Sequence, residues 1–424
     1  MQVQLNKNWK TKFFSIWIGQ AFSLLGSQIV QFTLIWYLTK QTGSAAVLAT
    51  STLVSLLPSV LFAPFIGALV DRWDRKRIMI LADFFIAAVT IVLIVLFRTG
   101  AIQIWHIYLA MFLRELGSTF HWPSMRSSTS LLVPKDNLSR VEGINQAMRG
   151  LLNVIGPPIA AILLEQVAIY AILSIDVITA AVAIIPLFFV SIPQLPSKTE
   201  EKAKEPSSII QDMKFGFQYL KNWRGMFLLT LTATALNFLV TPGFTLSPLL
   251  VTQHFQGGAI QLSMVEAVFG IGVISGGVIL SVWGGFKKRI YTTLTFIIGM
   301  GGAILLIAFA PPTQFNMALA GMLLTGCTNP IVNGSITAIM QSNIKPEMQG
   351  RVFTSLNSMA NAMSPLSMVI AAPVAEVIGI QGWYIVGGFG CILMGILGFL
   401  NKDLMHIEDE GLKRQQAEKE LKTA

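Results

Sequence analysis

Long apolar stretches recur along almost the whole of this 424-residue chain, from about residue 13 to residue 401. Many of them reach the roughly 20 residues that a helix needs to cross about 30 Å of hydrocarbon. Each must be a helix, because a segment surrounded by lipid has to satisfy its backbone hydrogen bonds internally. The pattern predicts twelve spans, at about 13–38, 44–70, 78–98, 101–125, 140–165, 168–191, 225–252, 259–284, 289–309, 314–341, 350–378 and 383–401.

One long polar interval, residues 192–224, interrupts this series near the middle of the chain. Its first part is rich in Pro, Lys and Glu, as a solvated linker is, and apolar residues near helical spacing follow over 209–220. That second part is either an interfacial helix or an ordinary surface helix. The predicted regions are an N-terminal six-helix bundle (1–191), this linker (192–224), a C-terminal six-helix bundle (225–401) and a tail (402–424).

Two short sequence matches relate the first half of the chain to the second, at nearly the same separation along the sequence. Gly67 recurs as Gly277, 210 residues later, and each precedes a basic cluster. Arg140 recurs as Arg351, 211 residues later, and each opens a predicted span. Both offsets are close to half the chain length, which favours a six-plus-six duplication of the kind that places a binding site between the halves.

The net charge is +9, but the basic residues follow the predicted topology rather than forming a nucleic-acid surface. If successive spans cross in alternate directions, the loops on one side contain only Lys40 and Arg98 of the 30 basic residues. Three more lie in or beside spans, and all others lie on the opposite side, which the positive-inside rule makes cytoplasmic. We therefore expect a multi-pass protein of the cytoplasmic membrane, with both termini cytoplasmic and no nucleic-acid partner.

Residues 67–77, GALVDRWDRKR, form a charged loop between the second and third spans. Topology alone explains the basic residues of this loop, but it does not explain Asp71 and Asp74. A short loop that carries both signs of charge can instead lock two helix ends together. The predicted gate consists of Gly67, Asp71, Arg72, Asp74, Arg75 and Lys76, with Asp83 expected to pair with Arg72 or Arg75.

This loop, in a chain with twelve spans, resembles the loop signature of the major facilitator superfamily of transporters, roughly G-x-x-x-D-R-x-G-R-[KR]. Asp74 departs from the signature, which prefers Gly there. The resemblance implies an all-α membrane protein of two pseudo-repeated six-helix bundles. It also implies that Asp71 meets the eleventh helix near Gly350 when the cytoplasmic side is closed, because the dipole of a helix N-terminus favours an anion.

Spans four and five carry further resemblances. Arg114 resembles the Arg of the family's fourth-helix motif. Gly156 and Pro157 resemble the Gly-Pro of its fifth-helix antiporter motif, which is associated with exchange of substrate for protons; the alternative is a helix kink with close packing. The stretches NWKTKFFSIWIGQAFSLLGSQI and RELGSTFHWP are especially similar to the macrolide-efflux branch of the drug:proton antiporters.

Ionisable residues inside spans are costly and normally face a cavity or a partner. The candidates for proton coupling are Arg114, Glu115, Arg149, Asp176 and Glu266. Arg149 and Asp176 lie within roughly 4 Å of the same depth, so we expect them to pair and Glu115 to be the more mobile proton site. His121 has the chemistry of a proton relay. Its position beside Trp122 near a span end favours a packed residue instead.

A cavity for a bulky apolar compound needs mostly hydrophobic walls and a few polar groups. Amides within spans supply such groups, or they hold helices together. The candidates that line a substrate cavity are Gln28, Gln31, Asn237, Phe238, Asn333, Asn357 and Asn361. Neither Cys327 and Cys391 nor the glycine-rich residues 270–277 fit a metal or nucleotide site, so we expect no cofactor.

These features predict a transporter rather than an enzyme. The favoured function is export of hydrophobic, macrolide-like compounds in exchange for protons, by alternating access, in a monomer surrounded by the lipid bilayer. One alternative keeps the fold and changes the cargo, to that of a lysophospholipid flippase or a siderophore exporter. Another is a transporter-like receptor that binds its ligand without moving it.

Overall fold

The computed structural model describes residues 9–134, 137–190, 218, 221–344 and 346–414. Within helices, the side chains of some positions are not described, among them Gly67, Asp71, Arg72, Asn357 and Asn361. The predicted contact of Asp71 near Gly350 therefore lies outside the described residues, and so does the predicted helix over 209–220 apart from Gln218. Both stay predictions of the sequence.

Twelve helices of 20 residues or more account for most of the described residues, among which no strand occurs. They are α1 Trp9–Thr42, α2 Ala45–Arg72, α3 Arg75–Thr99, α4 Ile104–Leu132, α5 Leu138–Gln166, α6 Ile169–Phe189, α7 Arg224–Leu249, α8 Ala259–Trp283, α9 Arg289–Ala308, α10 Phe315–Asn343, α11 Pro346–Ile378 and α12 Ile380–Leu400. A π-helical turn, Leu250–His254, continues α7. The predicted all-α, twelve-helix architecture is confirmed.

Ten of these helices contain a segment long and apolar enough to cross a membrane. The other two are α4, which carries Arg114, Glu115 and Arg126, and α11, whose described apolar part is Met363–Ile378. Many large apolar side chains lie more than half exposed on the helices, including Phe188, Val282, Val377 and Leu400. Such extensive apolar surface is unsuited to water and suits contact with lipid.

Asp74 begins α3. Its side-chain oxygen accepts hydrogen bonds from the backbone N–H groups of Lys76 at 2.9 Å and Arg77 at 3.2 Å, which would otherwise lack partners at a helix start. This local role explains why an Asp can occupy the position where the superfamily signature prefers Gly. The Lys76 ammonium donates to the carbonyl oxygen of Phe188 at 3.1 Å and so holds the loop against the end of α6.

The chain divides into two compact units. Unit 1 comprises Met1–Lys202 and Gly258–Ala267, and unit 2 comprises Ala203–Gly257 and Val268–Ala424. In unit 1, α1 packs against α5 and α6, while α4 packs against α2 and α3. In unit 2, α9 packs against α10 and α12, while α7 packs against α11 and α12.

The tail is docked on unit 2 as far as residue 414. Residues Lys402–Met405 form a short helix, and residues 407–414 are helical as well. Ile407 is fully buried there. Asp409 lies 2.7 Å from the Lys288 ammonium, and Glu410 accepts a hydrogen bond from the indole N–H of Trp223 at 3.0 Å. This part of the chain is therefore an anchored element rather than a free extension.

Candidate functional site

A cavity of about 250 Å³ lies in unit 1 between α1, α2, α3 and α4. Three apolar residues line it, Leu24, Ile86 and Met111, and the polar lining residues are Gln20, Ser23, Ser27, Gln28, Gln31, Ser55, Asp83, Arg114, Glu115, Ser118 and His121. Of the predicted substrate-cavity residues, Gln28 and Gln31 are here, together with Arg114 and Glu115 of the proton-coupling candidates. The site is thus far more polar than the sequence-based picture of an apolar pocket.

Asp176 on α6 forms a buried ion pair with Arg114 of the cavity wall. One guanidinium nitrogen lies 2.5 Å from Asp176 Oδ2 and the other lies 3.4 Å from Oδ1. The hydroxyl of Ser27 donates to Oδ1 at 3.0 Å, and the hydroxyl of Thr90 donates to Oδ2 at 2.8 Å. Asp176 is only 1% exposed, so these four contacts replace the water that the carboxylate has lost.

The predicted pair of Arg149 and Asp176 is wrong. The guanidinium carbon of Arg149 lies 3.1 Å from the centroid of the Trp122 ring, in a cation–π contact. Depth along a helix fixes the level of a side chain, but not the helix face on which it lies. The partner of Asp176 is Arg114. The sequence identified Arg114 as a candidate for proton coupling, but the comparison of depths did not identify it as the partner.

Two glycines bring the walls of the site together. A Cβ atom on Gly26 would lie 3.0 Å from the Cα atom of Asp176, so only Gly lets α1 and α6 approach this closely. A Cβ atom on Gly156 would lie 3.1 Å from the Cβ atom of Gln28. Gln28 in turn donates to the Asn153 side chain at 3.1 Å. The Gly of the antiporter-like motif therefore fits α5 against α1 at the cavity wall.

Asp83 on α3 forms a second polar cluster with Gln20 and His121. The Gln20 amide donates to Asp83 Oδ2 at 3.1 Å. His121 Nε2 lies 3.5 Å from Asp83 Oδ1, within ion-pair distance but without hydrogen-bond geometry. These described contacts join Asp83 to α1 and α4. The predicted pairing of Asp83 with Arg72 or Arg75 stays a prediction, because the side chain of Arg72 is not described. His121 is buried, as expected, but it also lines the cavity.

Glu115 lies on α4 between these two clusters. Among the described side chains, it makes no ion pair and no hydrogen bond through its carboxylate. A carboxylate in a membrane cavity without a fixed partner can exchange its proton with whatever enters that cavity. Glu266 on α8 is half-buried and is not part of this cavity.

The remaining candidates with described side chains lie in unit 2. Asn237 and Asn333 each donate a hydrogen bond to a backbone carbonyl one turn back in their own helix. The ring of Phe238 lies 6.3 Å from that of Trp383. They are not among the described residues that line the cavity of unit 1.

Sequence reasoning missed Thr90 and placed Asp83 and His121 outside the candidate site. The sequence did contain a signal for all three. Asp83 and Thr90 in the third span are seven residues apart, and so are Arg114 and His121 in the fourth span and two polar residues of the first span. That spacing returns to the same face of a helix after about two turns.

Most of this chain can be aligned with transporters from bacteria. Residues 16–365 match the sequence profile of the Major Facilitator Superfamily. Macrolide efflux protein A of Streptococcus pyogenes is 35% identical over 390 residues, which cover 92% of this chain and 96% of that protein. The protein of the same name from Enterococcus faecalis is 34% identical over 326 residues, 77% of this chain and 100% of that protein. The multidrug efflux pump Tap of Mycobacterium bovis is 26% identical over 388 residues, 88% of each chain.

Solved structures of similar shape are transporters. The nucleoside transporter NupG has a TM-score of 0.68 and 13% identity, covering 94% of this chain and 100% of its own. A bacterial homologue of the iron transporter ferroportin, in an inward-facing state, has a TM-score of 0.69 and 13% identity, covering 91% of this chain and 98% of its own. At such identities the likeness shows the fold alone.

Proposed function

Because this chain belongs to the Major Facilitator Superfamily, whose members are transporters, we propose that it exports bulky hydrophobic compounds of the macrolide class in exchange for protons. The macrolide efflux relatives support the class of cargo. The multidrug efflux relative supports a broader range of hydrophobic compounds.

The observation that carries the proton coupling is the position of Glu115. It lies in a polar cavity next to Arg114, whose own charge is already balanced by Asp176. A proton on Glu115 therefore changes the net charge of the cavity by one unit, without disturbing the ion pair behind it. Such a change is a strong signal in a membrane-embedded site, where an uncompensated charge is costly.

Export then follows from competition between proton and substrate for the same cavity. The deprotonated carboxylate of Glu115 attracts a basic group of a bound compound, and a proton that binds Glu115 removes this attraction. Protonation on the outer side thus favours release of the compound, and loss of the proton to the cytoplasm restores the binding site. The two units provide the bodies that alternating access requires.

The distribution of basic residues supports the orientation of this cycle. The positive loops and both termini are on the cytoplasmic side in our proposal, since Lys and Arg near spans are retained there. The start of α1, the start of α3 and the end of α4 then lie towards the cytoplasm. The Arg114–Asp176 pair lies deeper in the membrane.

Accumulation assays in bacterial cells that lack their own efflux pumps test this function. Cells with and without the protein are loaded with a labelled macrolide, a labelled lysophospholipid or an iron siderophore, in the presence and absence of a protonophore. We expect the protein to lower macrolide accumulation and the protonophore to abolish the difference. Export that ignores the protonophore would contradict proton coupling. Lipid or siderophore movement would assign a different cargo, and macrolide binding without flux would indicate a receptor.

A further inference from the structure

Three helices of unit 1 repeat a polar residue after seven positions. Seven residues correspond to about two helical turns, or about 10.5 Å, so each pair lies on one face of its helix. The pairs are Gln20 and Ser27 in α1, Asp83 and Thr90 in α3, and His121 and Arg114 in α4.

The contacts sort these residues into two layers. We define the deep layer as Ser27, Thr90 and Arg114 around Asp176, and the shallow layer as Gln20, Asp83 and His121. The deep layer is complete, because both oxygens of its carboxylate accept hydrogen bonds. The hydrogen bonding of the shallow layer is incomplete. Its described residues leave Gln20 Oε1 and His121 Nε2 without a hydrogen-bond partner, although both atoms are buried.

We propose that Asp83 and His121 form a second proton-binding site of this protein, two helical turns closer to the cytoplasm than the Arg114–Asp176 pair. His121 Nε2 already faces Asp83 Oδ1 at 3.5 Å, so an imidazolium there gains a carboxylate as its counter-charge. Gln20 holds the other oxygen of Asp83 and keeps the carboxylate in place. Release of this proton to the cytoplasm during transport rests on the proposed function, whereas binding of a proton by Asp83 and His121 does not.

The shallow layer lies between the cavity and a hydrophobic cluster. Gln20, Asp83 and His121 line the cavity on one side. One turn beyond them on the same three helices lie Ile16, Met79 and Met125, which belong to one buried hydrophobic cluster. A proton can therefore reach the shallow layer from the cavity, while the apolar cluster separates it from the helix ends.

Among the described side chains, no other charged group forms an ion pair with Asp83 or His121. On α4, Arg114 is two turns away and paired with Asp176 of α6, and Glu115 lies between the layers. From α5, Arg149 stacks on Trp122, the neighbour of His121. Arg75 and Lys76 lie two turns earlier on α3, and the side chain of Arg72 on α2 is not described. Among the described side chains, Asp83 is the charged group in contact with His121, so it is the counter-charge available to an imidazolium.

Glu115 and His121 are six residues apart on α4, about 9 Å along the helix axis, so water in the cavity carries the proton between them. The O–H bond of protonated Glu115 breaks and an N–H bond forms on His121, which leaves a Glu115 carboxylate and an imidazolium paired with Asp83. When the hydrophobic cluster separates on the cytoplasmic side, the imidazolium gives its proton to water. The shallow layer thus serves as the last proton-binding station before the cytoplasm.

Histidine-labelled protein in detergent tests the site without any substrate. The chain has four histidines, and the NMR signal that disappears in His121→Gln identifies His121. We expect this signal to change from imidazole to imidazolium between about pH 8 and pH 5, the range in which histidine ordinarily titrates. A signal that keeps one protonation state over the whole range would overturn the proposal.

Flux measurements in proteoliposomes test its role. We expect His121→Gln and Asp83→Asn to lower macrolide flux driven by a pH gradient by about tenfold or more, as loss of a proton-transfer group does. His106→Gln is the matched control on the same helix, because Gln can replace His106 in the capping contact at the start of α4. Full flux in both folded variants would overturn the role. If the wild-type protein shows no pH-driven flux, the proposed function fails, and the NMR titration alone decides on the site.

Discussion

Asp176 illustrates how much a single buried charge depends on packing that a sequence does not reveal. Its presence in a span marks it as a functional candidate, since ionisable residues in lipid are rare. Its partner could not be predicted, because the pairing depends on the close approach of α1 and α6 at Gly26 and on the face of α4 that Arg114 occupies. The chemistry of the site was readable from the sequence, and its connectivity was not.

Removing the charge of Asp176 tests the importance of this pairing. In Asp176→Asn the Arg114 guanidinium loses its counter-charge while remaining buried, so we expect the free energy of unfolding to fall by about 3–5 kcal/mol. The measurement is thermal or denaturant unfolding of purified protein in detergent. The double variant Arg114→Gln with Asp176→Asn should regain part of the loss, and the exposed Glu165→Gln serves as the control. An Asp176→Asn protein as stable as wild type would contradict the account of the pair.

Individual helices were predictable within a few residues where apolar sequence defines them. The predicted span at 289–309 is observed as Arg289–Ala308, and the one at 259–284 as Ala259–Trp283. By contrast, α1 begins at Trp9, four residues before its predicted span, because an apolar pattern detects only the lipid-facing part of a helix. The docked tail was missed for a related reason. Its polar residues suggested solvent, while only Leu404 and Ile407, three residues apart, provide the apolar contact.

The ion pair between the tail and the loop before α9 makes tail docking dependent on pH. A hydrogen bond from Lys288 lowers the pKa of Asp409, and the same bond raises the pKa of Lys288. The Asp409 contribution is therefore present above its ordinary pKa of about 3.9 and is lost as pH falls through its lowered value. The Lys288 contribution is present below its ordinary pKa of about 10.4 and is lost as pH rises through its raised value.

Hydrogen exchange of the tail measures this dependence. We expect slow exchange over residues 402–414 at neutral pH, and faster exchange, after correction for the intrinsic effect of pH, at both extremes. Asp409→Asn should speed exchange in this segment at neutral pH. Exchange in α12 provides the internal control, because it should not change. Equal exchange in the variant and the wild-type protein would show that the pair does not hold the tail.

At the scale of the whole molecule, the two compact units differ in chemistry. The twelve spans and the loop signature were sufficient to predict the fold, which the family membership confirms. The repeat that the sequence predicts gave no hint of this asymmetry. All five proton-coupling candidates, Arg114, Glu115, Arg149, Asp176 and Glu266, belong to unit 1. A pocket in unit 2 is instead lined by apolar and aromatic residues, including Phe244, Trp383 and Tyr384.

The central claim is that export is tied to protons through Glu115, and a counter-flux measurement tests it most directly. Proteoliposomes are loaded with macrolide at equal pH inside and outside, and an enclosed dye records the internal pH as the compound leaves. We predict acidification of the interior with wild-type protein and with Glu165→Gln. We predict none with Glu115→Gln, because its neutral side chain can neither take up a proton nor release one. Macrolide release without acidification by the wild-type protein, or equal acidification by Glu115→Gln, would contradict the account.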